Sequence, residues 1–269
     1  DSPSANLGDY TVALQGFRRN YYDVWNSRAR DALWRHMEQD LFQKGVDAWW
    51  LDATEPNLWS IQGAYHMYQT CRGPAARWLN AYTLAHSKGI YEHQRRFCES
   101  KRVFILSRTG FAGIQKYATA VWSGDTWYSW QTLQRQIADG LQYSLSGLPY
   151  WTSDIGGFMG DDCDSPDYRE LYVRWFQFGA FCPIFRAHGT KCPREVWRFG
   201  EEAEKILHQY LMLRYRLMPY IYSLAWQVTR YQYTIMRSLW MDFRGDYRCR
   251  EIGDQYLFGN SLMVCPVTE

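Results

Sequence analysis

The chain has 269 residues, 46% hydrophobic and 22% charged, with a formal net charge of +2. That is enough for a full-size core, and the balanced charge gives no reason to expect nucleic acid or an anionic membrane as partner. No apolar run reaches the ~18 residues of a membrane span, and no secretory leader or lipidation motif is read at the start. The seven cysteines are scattered without a C-x-x-C, so neither a disulfide scaffold nor a zinc site is expected and the redox compartment stays open.

Residues 1–25 read as irregular. Asn26 is a plausible cap for a helix carrying Leu33, Met37, Leu41 and Phe42 on one stripe, with Gly45 as its stop. The run Val46–Leu51 is too short for a helix and lacks clean alternation, which predicts a parallel strand buried on both faces, 46–52. It ends on Asp52, followed by Glu55 and Pro56. An acid at the carboxyl end of a parallel strand is a candidate catalytic group, although the same Asp could cap the next turn. A long loop, 53–73, and a helix, 75–98, follow.

The pattern then repeats. Strands are predicted at 102–107, 117–124, 148–153 and 182–187, ending at Arg108, Asp125, Asp154 and His188. Helices are predicted at about 129–145, from Pro166 to about 179, and in a long stretch after Gly200. Alternation of this kind argues for parallel βα units. From about Tyr231 the pattern changes to short strands and turns. The fold class is therefore α/β: a partial (β/α)8 TIM barrel over 1–230, then the beginning of a C-terminal β-sandwich domain over 231–269. The strands read are fewer than a closed barrel needs, so the first strands are expected before residue 1 and the chain reads as a fragment.

Polar residues at successive strand ends converge on one mouth. Two carboxylates with an arginine and a histidine suit hydrolysis of a glycosidic bond, one acid attacking the anomeric carbon and the other handling the proton. A metal site is the rival reading, but no close His pair such as H-E-x-x-H is present; no G-x-S-x-G marks a serine hydrolase either. The 14 Trp and 21 Tyr fit an aromatic core or a cleft that stacks on sugar rings. His66, His86 and His93 are read as surface residues, and Glu55, pinned between Thr54 and Pro56, as structural.

The blocks W-L-D-A-T-E-P-N (50–57), L-S-R-T (106–109), W-S-G-D (122–125), W-T-S-D-I-G-G-F (151–158) and F-R-A-H-G (185–189) resemble, in order and spacing, the active-site blocks of glycoside hydrolase family 31. Residues 254–267 resemble the sheet that follows its barrel. The resemblance implies a retaining α-glycosidase without cofactor or metal. Asp52 would be the nucleophile and Asp125 the acid/base; Arg108, Trp122, Asp154, Phe158 and His188 would bind the sugar. The double Trp before Asp52 resembles α-xylosidases that act on xyloglucan side chains, whereas α-glucosidases more often show W-I-D-M-N-E-P there. α-Glucosidase, transglycosylase and non-catalytic sugar-binding readings stay open. The resemblance further implies an oligosaccharide or polysaccharide partner and, from that substrate class, a periplasmic or secreted location. The family's early-strand Asp and N-terminal β domain have no counterpart here, so the fragment alone is expected to be inactive.

Overall fold

The computed structural model describes residues 21–56, 69–160 and 162–269. Contacts divide the chain into two compact units, 1–120 and 121–269.

In the first unit, helix α1 (Ser27–Asp40) starts where Asn26 accepts a hydrogen bond from the Arg28 amide. Strand β1 (Trp49–Leu51) pairs in parallel with β2 (Ile105–Ser107), in the register Trp49↔Ile105 and Leu51↔Ser107. Helix α2 (Tyr82–Phe97) lies between them in sequence, preceded by two 3₁₀ turns, Ala75–Arg77 and Leu79–Ala81, and a short hairpin of Gln69–Thr70 with Gly73–Pro74. The core packs Trp34, Trp49, Ile90, Val103 and Ile105. The Trp49 indole N–H donates to Gln94 Oε1 at 2.7 Å, so this large ring is buried with its polar atom satisfied. The expected burial of β1 on both faces is not met: side chains alternate along a strand, and Trp50 is half exposed.

Two histidine readings are corrected here. His93 is buried, its ring nitrogens 2.7 Å from Asp31 Oδ1 and 2.6 Å from the Gly89 carbonyl. His86 is partly buried among aromatic rings and bonded to the Tyr22 hydroxyl at 2.6 Å. Both lie on the inward stripe of α2, which the lack of long apolar side chains there concealed. His66 lies outside the described residues.

Strand β3 (Thr119–Trp122) runs across the boundary into the second unit. There Val121 and Trp122 pair in parallel with Trp151 and Thr152 of β4 (Trp151–Thr152). Helix α3 (Trp130–Leu145) is capped by Ser129, and α4 (Pro166–Gly179) by Ser165 with Pro at the first helical position. The strand expected at 182–187 reduces to one parallel bridge, Ile155↔Ala187. Pro183 has no N–H to give a ladder. The long helix expected after Gly200 is two, α5 (Glu201–Arg216) and α6 (Met218–Tyr231), again at a proline, Pro219. Strands β5 (Met236–Ser238), β6 (Tyr256–Phe258) and β7 (Leu262–Val264) form an antiparallel sheet. A helical turn, Leu239–Asp242, intervenes where short strands and turns without helices were expected. The core of this unit is aromatic, with Trp151, Trp175, Tyr172, Phe178, Tyr256 and Phe258 nearly fully buried.

Candidate active site

In the first unit the register of β1 with β2 brings Asp52 and Arg108 to the same end of the pair. Arg108 Nη1 lies 3.2 Å from Asp52 Oδ1, and its Nη2 donates to Glu55 Oε1. The Thr109 hydroxyl donates to the other Glu55 oxygen at 2.6 Å. Glu55 is held below the ordinary carboxylate range: burial pushes it up, and the bonds from Arg108 and Thr109 more than offset that. Its structural reading fits this geometry, since one oxygen is committed to Arg108 and the other to Thr109. Asp52 also accepts from the Ala53 amide at 2.7 Å, so it does cap its own turn. It nevertheless remains 43% exposed. Ala53 has φ of +50°, a left-handed conformation that costs an alanine about 1 kcal/mol. Strain of that kind next to a directed, accessible carboxylate is typical of functional turns.

In the second unit, Asp125 stands exposed just beyond β3. Asp154, at the end of β4, is fully buried and forms an ion pair with Arg186. Burial raises Asp154 to about 6, against the pull of Arg186, with a smaller upward push from Asp125. Among the described residues its Oδ2, like Arg186 Nη2, has no hydrogen-bond partner. The pair thus keeps one acceptor and one donor that its own ion pair does not use. Trp122 is 1% exposed, and the Arg186 guanidinium lies 5.2 Å from its ring centroid. Phe158 and His188 are half-buried and stacked, centroids 5.5 Å apart at 19°. The Thr190 amide donates to the Phe158 carbonyl at 2.9 Å, joining the two loops.

Sequence reasoning missed three features. Arg186 sits inside the F-R-A-H-G block, where Phe-Arg-Ala-His alternation was the available signal. Arg194 and the disulfide Cys163–Cys192 had none. Among the described residues no group of three or more His, Cys, Asp or Glu is placed to hold a metal.

A family model described as the glycosyl hydrolases family 31 TIM-barrel domain matches residues 5–224, and one for the family's C-terminal domain matches 232–269. An alpha-xylosidase of Saccharolobus solfataricus is 43% identical over 250 residues, covering 92% of this chain and 34% of the relative. Neutral alpha-glucosidase C of Homo sapiens is 35% identical over 248 residues, covering 91% and 24%. The crystal structure of a GH31 alpha-xylosidase from Xanthomonas citri matches with a TM-score of 0.89 at 41% identity, over 98% of this chain and 30% of that one. One from a soil metagenome, complexed with xylose, matches at 0.90 and 30%, over 97% and 43%. The chain thus spans about a third of the length of such relatives. With nearly the whole chain matched by the family's own domain models, this chain belongs to glycoside hydrolase family 31.

Proposed function

We propose that the whole protein is a retaining α-glycosidase that releases a terminal α-xylosyl residue from xyloglucan-type oligosaccharides. The observation that carries this is Asp52: a carboxylate aimed by Arg108 and a backbone N–H, at the end of a parallel strand, yet open to solvent. In the first step Asp52 attacks the anomeric carbon, the glycosidic C–O bond breaks, and Asp125 gives its proton to the leaving oxygen. In the second, Asp125 takes a proton from water, whose oxygen displaces Asp52 and restores the starting configuration. Asp154 and Arg186 accept from and donate to sugar hydroxyls, and Phe158 and His188 border the ring. No cofactor enters this scheme.

Xylose is preferred over glucose on two grounds: the W-W-L-D-A-T-E-P block and the alpha-xylosidase relatives. The two sugars differ by one hydroxymethyl group, so discrimination is steric and worth only about 1–3 kcal/mol. Cross-activity is expected. The test compares kcat/KM on 4-nitrophenyl α-xyloside and α-glucoside, with xyloglucan oligosaccharides and an added acceptor sugar. A larger value for the glucoside moves the assignment to α-glucosidase; dominant transfer product moves it to transglycosylase. The Cys163–Cys192 disulfide supports a periplasmic or secreted location, because cytosolic thiols are kept reduced.

A further inference from the structure

Arg194 is nine-tenths buried. Its hydrogen-bond partners among the described residues are neutral: Nη2 donates to the Gly157 carbonyl at 2.7 Å and Nη1 to the Tyr168 hydroxyl. The guanidinium also lies 5.4 Å from the Tyr168 ring centroid. An enclosed guanidinium whose hydrogen-bond partners are all neutral is costly, and an apolar side chain of similar length would fill the space without that cost. What the arginine adds is a planar fork at a particular place.

That place lies between two loops. Gly157 immediately precedes Phe158, and Gly189 immediately follows His188. The guanidinium packs so closely on Gly189 that a Cβ there would stand 2.7 Å from Cζ. Gly157 has φ of +78°, a left-handed conformation that a side chain would resist. One rigid group thus spans the residue before Phe158 and the residue after His188, and these rings stack on each other. The positive charge also opposes the rise that burial gives Asp154.

We propose that Arg194 is a positioning residue for sugar binding, fixing the Phe158–His188 pair by holding the Gly157 carbonyl against the Cα of Gly189. This rests on the reading that Phe158 and His188 touch the sugar. The measurement is steady-state kinetics of the whole protein on whichever of 4-nitrophenyl α-xyloside and α-glucoside it hydrolyses faster, with a melting temperature for each variant. Arg194→Met should raise KM about ten-fold with a smaller change in kcat, as a misplacement of sugar contacts predicts. Arg194→Lys keeps the charge but not the fork and should still raise KM about five-fold; it carries the test if the Met variant does not fold. Gly189→Ala, which drives a methyl into the guanidinium, should reproduce the effect with Arg194 in place. Adding Arg194→Met to His188→Ala should cost little beyond His188→Ala alone, because both act on the same contact. Folded Arg194 variants with KM within about two-fold of the parent overturn the inference while His188→Ala still raises KM. Fully multiplicative effects in the double variant overturn it as well. If His188→Ala leaves KM unchanged, the sugar-contact reading falls and this inference with it.

Discussion

At the scale of single residues, the two carboxylates carry different demands. Asp52 stands at the end of β1 with one oxygen held by Arg108 and the Ala53 amide, whereas its neighbour Glu55 spends its oxygens on Arg108 and Thr109. Asp52→Ala should therefore remove nearly all turnover on every substrate. Asp125→Ala should cost much less on a glycosyl fluoride or activated aryl glycoside, whose leaving group needs no proton. Equal losses for both variants on the activated substrate would reverse or void the roles. Asp52 was legible in the sequence because an apolar run ends abruptly on it. The partner of Asp154 was not: Arg186 lies 32 residues away, and only the packing of two loops brings the pair together.

At the scale of elements, helices were legible wherever a cap and an apolar stripe coincided, as at Ser165-Pro166 and Ser129. Short buried strands were overextended, because β-rich sequence continues past the few residues that find ladder partners; 46–52 shrinks to Trp49–Leu51. Prolines 183 and 219 decided the two largest departures. The disulfide was invisible because its register belongs to two loops that no spacing rule relates. Its Cα atoms are 5.8 Å apart, within the usual range for such a bridge, and it closes a span of 29 residues. Loop-closure entropy assigns such a bridge about 3–4 kcal/mol. Cys163→Ser with Cys192→Ser should lower the melting temperature clearly, and a reductant should do the same to the parent but not to the double variant. Unchanged melting in both cases would remove the bridge from the account of stability.

At the scale of the whole molecule, partly buried His86 and fully buried Asp154 push stability in opposite directions with pH. Burial lowers His86 to about 4. The unfolded chain binds that proton more tightly, so this contribution is full above about pH 6.5 and is lost as pH falls toward 4. Asp154 works the other way. Its folded value, about 6, lies above that of an exposed Asp. Its contribution is therefore full below about pH 4 and is lost as pH rises through 6. Each is worth on the order of 3 kcal/mol, and their windows overlap, so together they flatten the profile between about pH 4 and 6. Glu55, held low, loses its contribution at the acid end of the same range as pH falls. Separating the two groups exposes each slope. His86→Gln keeps a partner for the Tyr22 hydroxyl but cannot titrate, so its melting temperature should fall less than the parent's from pH 6.5 to 4. Asp154→Asn should fall more steeply over the same range, on top of a pH-independent loss from leaving Arg186 without its carboxylate. Catalysis should move oppositely for the parent: as Asp154 protonates below about pH 6 it loses an acceptor and its charge pairing with Arg186, so kcat/KM declines on the acid side. Melting curves of both variants that run parallel to the parent's across pH 4–7 would show that these two groups do not govern acid stability.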